Sequence, residues 1–495
     1  MRSRWWIVAL VVIALIVIIG LASADHIAAS LVAHEFRGRY GDRLQMSGLE
    51  VRLFPSIHFS VERIVVPQND RAGLPPLIAI ARATGETGWF AALAHHVRTV
   101  RLEGLKIEIP PRRAGALDGW KNPEKPRFVI DQVIADGAVL EIRPKQSGKE
   151  PMQFELYRLT VREAGADVPM SFETRMKNVT PPGEIQSAGK FGPWQFGEPA
   201  ATPVSGDYSF QNADLSVFKG ILGTLSATGN YRGVLDRIET DGQTDTPNFA
   251  LAISGQPVHL TAKFHAIVDG TDGNTYLDPV EGHFGRSTVI ARGNVVGGLT
   301  AKGRVVTLDA TVTNGRLEDL LRLAISSKDV MTGAVSFQSK MVIPPDDVDV
   351  AQKLQLDGSF TVDEAHFSKL SVQEKVSELS NRGSGEPQES KDDNIASDFR
   401  GRFKLNHGMM TFTGLSFNVP GVRVALDGSY GLVDERLNLH GTATLQAKLS
   451  QTTTGWKSVL LKAIDPIFKK KNAGAVLPIK VEGTAKQPRF GLGGG

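Results

Sequence analysis

An alternation of apolar and polar residues with period two, punctuated by glycine, recurs from about residue 45 to the C-terminus and constrains this chain more than any other feature. In residues 258–268, VHLTAKFHAIV, one side of an extended strand carries Val258, Leu260, Ala262, Phe264, Ala266 and Val268, and the other carries His259, Thr261, Lys263 and His265. Successive strand side chains point to opposite faces, so this pattern describes a sheet with one greasy face and one wet one. The same period marks Val306, Leu308, Ala310 and Val312, then Leu354, Leu356, Phe360 and Val362. It continues through Phe399, Phe403 and Leu405, Val422, Val424 and Leu426, Leu437 and Leu439, and Leu445 and Leu449. The 51 glycines and the scarcity of helix-favouring runs fit many short strands joined by tight turns. A chain of 495 residues exceeds one hydrophobic core, so several domains or repeated units are expected.

Helical patterns are few. Residues 25–36, 88–96 and 454–468 read as helices, and 315–326 places Leu317, Leu320, Leu321 and Ala324 on one helical face. Residues 373–397 are polar and carry Gly383, Gly385 and Pro387, which describes a flexible loop centred near 380–394. In VRTVRLEGLKIEI the alternation slips by one residue at Gly104, where a bulge would return the side chains to the same face. A weak echo lies 33 residues on, matching Val100, Gly104, Glu108 and Ile109 with Val133, Gly137, Glu141 and Ile142.

Residues 5–24 carry no charge and are long enough to span a bilayer as a helix. Arg2 and Arg4 precede the segment and Asp25 follows it, so the positive-inside tendency keeps the N-terminus cytoplasmic and exports the bulk. Trp5 and Trp6 would then lie at headgroup level. The alternative is a cleaved signal peptide, because Ala22-Ser23-Ala24 resembles a cleavage site.

No motif for catalysis emerges. The chain has no phosphate-binding GxxxxGK[ST] loop, no GxSxG elbow and no HExxH helix. It has no cysteine, which excludes disulfides, thiolate metal sites and cysteine nucleophiles. His95 and His96 are adjacent and would diverge by about 100° on a helix, so they cannot bind one metal as a pair four residues apart would. Asp346, Asp347 and Asp349 follow two prolines and read as a solvated turn, without a glycine-bearing calcium loop. Asn178-Val179-Thr180 fits a glycosylation sequon by pattern alone. A net charge of +3 lacks the concentrated basic face of nucleic-acid binding. Lys469, Lys470 and Lys471 suit either anionic headgroups or the C-terminal dipole of the preceding helix. The reading is of a protein without cofactor or metal and not an enzyme.

The apolar stripes have two explanations. Sheets could pack face to face in a sandwich, or one sheet could curl into an open groove. The shortage of covering helices favours the groove.

Beyond these patterns, several segments resemble the AsmA-like proteins of the diderm bacterial envelope. At the N-terminal side these are the apolar segment, GDRLQMSGLEVRLFPSIHFSVERIVV (41–66) and GWFAALAHHVRTVRLEGLKIEI (88–109). At the C-terminal side they are NGRLEDLLRLA (314–324), LQLDGSFTVDEAHFS (354–368), the stretches 399–432 and 439–470, and LPIKVEGTAKQPRFGL (477–492). Residues 150–300 match only in general pattern. The resemblance implies a mostly β protein: one N-terminal transmembrane helix, then an elongated, curled antiparallel sheet forming an apolar groove, with a few short amphipathic helices. Its regions would be 1–24 (cytoplasmic tip and anchor), 25–150 (N-terminal β region), 151–300 (central groove) and 301–495 (C-terminal domain).

Such a protein would sit in the bacterial inner membrane with its bulk in the periplasm. It is similar to repeating β-groove lipid-transfer proteins, which implies phospholipids as cargo and an outer-membrane or periplasmic protein as partner. Shielding acyl chains is worth about 0.8 kcal/mol per buried methylene. The lining would be Val258, Leu260, Phe264, Leu354, Leu356, Phe360, Val424 and Leu426, each as an acyl-chain contact. The rival expectation is a scaffold or regulator of outer-membrane protein assembly, with the same stripes packed dry.

Overall fold

A computed structural model describes residues 25, 29, 30, 34, 44–68, 74–94, 96–111, 129–144, 151–165, 169–195, 198–297, 303–326, 331–367, 397–445 and 476–493. Strands make up 71% of these residues, as the period-two alternation requires. The chain forms two compact units: 1–213, 227–241 and 267–274 in the first, and 214–226, 242–266 and 275–495 in the second. The central region 151–300 is therefore shared between them. The anchor segment, with Arg2, Arg4, Trp5 and Trp6, lies outside the described residues, as do most of 25–36, the loop near 380–394, the 454–468 helix and Lys469–Lys471. Among the described residues no helix is long and apolar enough to cross a membrane.

Unit 1 begins with short strands, β1 (Gln45–Ser47), β2 (Glu50–Arg52), β3 (Ile57–Val61), β4 (Arg63–Val66), β5 (Ile78–Ile80) and β6 (Arg82–Thr87). A five-residue helix α1 (Trp89–Leu93) leads into β7 (His96–Glu103) and β8 (Lys106–Ile109). Longer strands follow: β9 (Val129–Ile142), β10 (Met152–Ala164), β11 (Met170–Val179), β12 (Pro182–Phe191) and β13 (Pro203–Asp214). From β9 onward these pair as a meander, each antiparallel to the next.

β7 and β8 run parallel to β9, an exception to the antiparallel expectation. Their register explains the 33-residue echo. Val100 faces Val133, Glu108 faces Glu141 and Ile109 faces Ile142, so the matched residues are neighbours across one ladder. Gly104 (φ +63°), in the break between β7 and β8, and Gly137 (φ +70°), within β9, both adopt the left-handed conformation. Each inserts one residue, so both strands switch faces in step and the pairing survives. The adjacent carboxylates are tolerated because Lys106 on β8 pairs with Glu141 at 2.9 Å, while Arg143 beyond β9 pairs with the fully buried Glu108.

Between the long runs lie β14 (Ile221–Leu222), β15 (Thr224–Val234), β16 (Arg237–Leu251) and β17 (Val258–Val268). The remainder of unit 2 is one antiparallel meander, each strand paired to the next. It comprises β18 (Thr275–Phe284), β19 (Ser287–Gly297), β20 (Arg304–Arg316), β21 (Met331–Ile343), β22 (Gln355–Phe367) and β23 (Ser397–Asn406). It continues with β24 (Met409–Val419), β25 (Val422–Gly431), β26 (Arg436–Leu445), β27 (Val476–Thr484) and β28 (Gln487–Leu492).

Two helices interrupt it, α2 (Leu317–Ala324) after β20 and α3 (Val350–Lys353) before β22. The expected helix at 315–326 is thus present. Its first turn is fixed by Asp319, which accepts hydrogen bonds from Arg286 N–H and Ser287 Oγ, each at 2.8 Å. That contact holds Leu317 and Leu320 against a core of Val335, Val362, Val424 and Ala443.

Candidate functional site

The meander of unit 2 sorts its side chains by face. One rung of the apolar face runs Leu308, Met341, Leu356, Leu405, Met410, Tyr430 and Leu437 across β20 to β26 in unbroken register. A parallel rung carries Ala310, Ser339, Gly358, Phe403, Phe412, Gly428 and Leu439. Nearer to α2, Val335, Val362 and Phe399 are paired in line, and Phe417, Val424, Ala443 and Leu477 continue that level across the next strands. The opposite face presents Asp309, Lys340, Asp357, Lys404 and Thr411, with Lys404 Nζ 3.0 Å from Asp357. An apolar-face glycine gives its neighbours room. A Cβ added to Gly358 would meet the tip of the Phe403 ring at 2.9 Å, so that ring lies across the bare backbone.

Burial grades along this face. The level beside α2 is the more closed: Val335, Val362, Val424 and Ala443 retain at most 2% of their exposure, with Phe399, Phe417 and Leu477 half-buried among them. Phe360 packs edge-on against Phe399 with ring centres 5.5 Å apart, and Phe399 does so against Phe417 at 5.7 Å. Further from α2, Leu308, Met341, Leu356, Met410 and Leu437 are only half-buried, and Leu405 alone among them is closed. Phe490, on the last strand, is 44% exposed. Tyr430 also lies on this rung. Burial pushes its phenol up to about 12, helped by the carboxylates of Glu435 and Asp434, and its hydroxyl has no hydrogen-bond partner.

The expected lining residues distribute unevenly over this surface. Leu356 and Phe360 are half-buried on the apolar face of β22, and Val258, Leu260 and Phe264 are half-buried on one face of β17. Leu354 is not on the strand; it caps the C-terminus of α3. Val424 and Leu426 are core residues, 1% and 6% exposed. Their closed positions make them structural, and the half-buried members form the candidate site. Sequence reading passed over β21, whose Phe337 and Met341 complete the rungs, because Ser339 interrupts its apolar alternation.

Other sequence candidates have ordinary structural roles. His95 lies outside the described residues, and His96 opens β7 with its ring 2.7 Å from Asp131. Asp349 caps α3 by accepting from Ala351 N–H at 2.8 Å, and Asp347 pairs with Lys219 at 2.9 Å. Among the described residues no cluster of three or more His, Asp or Glu side chains could hold a metal ion. Asn178 donates to Pro181 O at 2.8 Å.

Unit 1 offers a different surface. A concavity of about 1060 Å³ opens on the mostly polar face of β9–β13, where Arg158, Arg162, Glu173, Arg175, Gln186 and Asp207 line it. Arg162 and Glu173 pair across it at 3.1 Å. Ile134, Tyr157, Met176 and Ile185 also line it, so charged and apolar side chains are mixed on this surface, unlike the sorted face of unit 2.

In comparisons with known proteins, no family model, no curated protein and no solved structure matches this chain.

Proposed function

We propose that this chain is a membrane-anchored lipid-transfer protein of the bacterial envelope, resembling the AsmA-like family, which carries phospholipid acyl chains along the apolar sheet face. The observation that carries this reading is the half-buried rung from Leu308 to Leu437. Full burial of a Leu or Met side chain is worth about 1.5–3 kcal/mol, and this rung leaves part of that unrealised at Leu308, Met341, Leu356, Met410 and Leu437. An acyl chain lying along the rung would recover it, while the headgroup stays in water. The register supports the same conclusion, because it keeps these residues on one face from β20 to β26. No step of this activity needs a cofactor or a covalent intermediate. In this reading residues 5–24 tether the chain to the inner membrane and both units lie in the periplasm.

A photoreactive amino acid at Met341, compared with one at the adjacent Lys340, tests the proposal in the full chain in cells. The two side chains point to opposite faces. Lipid adducts by mass spectrometry at position 341 and none at 340 are the expected result. Adducts at neither position, in protein that is folded and membrane-bound, would remove the lipid reading. The second reading, a dry scaffold for outer-membrane protein assembly, is favoured by the closure of Val424 and Leu426. It predicts protein adducts, or none, at both positions.

A further inference from the structure

Helix α1 is built inside out. Its two alanines, Ala91 and Ala92, are half-buried where the helix packs on β7, while Trp89, Phe90 and Leu93 are 46%, 90% and 77% exposed. The helix carries no acidic residue in its first turn and no basic one in its last. A surface helix of a water-bathed domain turns its large apolar residues inward and its polar ones out, the reverse of this arrangement. Positions 89, 90 and 93 share one helical face, so the exposed residues form one patch.

A second apolar group stands at the same end of the sheet. Ile57 pairs with Thr87 where β3 meets β6; Phe54 lies three residues before Ile57, and Trp89 two after Thr87. Both connections leave the ladder at that edge, and Phe54 is 67% exposed. The neighbouring Leu53 N–H donates to Asp25 Oδ1 at 2.8 Å. Asp25 is the residue that directly follows the uncharged 5–24 stretch. Asp25, the residue after that stretch, is therefore pinned to the loop that carries Phe54.

We infer that Phe54, Trp89, Phe90 and Leu93 form a wedge that inserts into the headgroup–acyl boundary of the bilayer occupied by residues 5–24. This rests on the reading of 5–24 as an anchor. The occupant is lipid rather than a protein partner because Asp25 fixes the patch next to the emerging anchor, where a bilayer surface is the nearest apolar phase. Aromatic and leucine side chains suit that boundary, with Trp89 at headgroup depth and Phe90 and Leu93 deeper. Two attachments, one spanning and one interfacial, would hold this end of the sheet against the leaflet and leave the other end of its strands in water.

The chain has no cysteine, so single-cysteine labelling is clean. Phe90→Cys and Leu93→Cys would carry an environment-sensitive fluorophore in the full chain, reconstituted in vesicles of phosphatidylethanolamine and phosphatidylglycerol. Val179→Cys is the reference: it is 63% exposed and ends β11 at the opposite edge of the sheet, about 30 Å away along the strands. A blue-shifted emission quenched several-fold by spin-labelled lipid at 90 and 93, with neither effect at 179, is expected. Emission at 90 and 93 matching that at 179, in protein that resists carbonate extraction, would overturn the wedge and leave the anchor intact. Protein released by carbonate would sink the anchor reading and the wedge with it.

Discussion

On the apolar face of unit 2, the level from Val335 to Leu477 and the rung from Leu308 to Leu437 use the same kinds of residue, yet the first closes Val335, Val362, Val424 and Ala443 while the second closes Leu405 alone. Their difference arises from cover. Helix α2 follows directly on β20 and lays Leu317 and Leu320 over the first level, held there by Asp319. On the second rung Leu308, Met341, Leu356, Met410 and Leu437 stay half-buried. Period-two patterning thus decides which face is greasy, and local connections decide where that face becomes a core. One surface can hold a stable fold at one end and an open apolar strip at the other.

The strongest way to break this contrast is to put a charge on each part. Val424→Asp buries a carboxylate with no partner at a position 1% exposed. That penalty rivals the whole stability of a domain, about 5–15 kcal/mol, so unit 2 is expected not to fold. Leu356→Asp can turn its carboxylate to water and is expected to leave a cooperative thermal transition. In that variant the lipid adduct at position 341 should be lost. Differential scanning calorimetry on both variants is the check, and equal damage would mean that the half-buried rung is a core after all.

A finer probe uses two leucines that face each other. Leu356 and Leu405 are register partners on β22 and β23, but Leu405 is 2% exposed and Leu356 half-buried. Leu405→Ala removes a fully packed side chain and should cost about 2–5 kcal/mol. Leu356→Ala should cost less than half of that by urea denaturation. Next in size is the cover itself. Asp319→Ala strands Arg286 N–H and leaves the Ser287 hydroxyl with Arg316 alone, a loss of about 1–3 kcal/mol. Loosening α2 should also expose the first level, read as faster hydrogen exchange at Val335 and Val362 with little change at Met341.

Much of this fold was legible in the sequence. The alternations at 306–312, 399–405, 422–426 and 437–439 lie on strands β20, β23, β25 and β26, and the helix at 315–326 lies at α2 with its ends trimmed. The slip at Gly104 is a left-handed glycine, and the echo at Gly137 is its partner across a parallel ladder. Periodicity reports which face a residue occupies, but it carries no information about what covers that face. Val424 and Leu356 are indistinguishable in pattern, yet Val424 is 1% exposed inside the core cluster and Leu356 is half-buried outside it. Asp319 left no apolar signal, since its role is a hydrogen bond to a turn 32 residues upstream. The inversion of α1 was written in GWFAALAHH as apolar residues on both sides, and only the burial of its alanines beside the exposed Trp89, Phe90 and Leu93 reveals which side is out.

The smallest effect concerns the one polar group on the open rung. Tyr430 keeps its hydroxyl buried without a partner, and its phenol is pushed up to about 12 chiefly by that burial. In the unfolded chain the same phenol ionises near 10. Below about pH 10 both states hold the proton and Tyr430 adds no pH dependence. Between about 10 and 12 the unfolded chain releases a proton that the folded chain keeps, so stability falls as pH rises through that window. Tyr208 and Tyr231 in unit 1 are raised by burial as well and contribute slopes of the same sign. The informative quantity is therefore the difference between Tyr430→Phe and the parent chain. The variant should be at least as stable as the parent at pH 7, because it removes a buried hydroxyl that has no partner, and should lose less stability between pH 10 and 12 by urea denaturation. Identical slopes would mean that the hydroxyl reaches water in the folded chain.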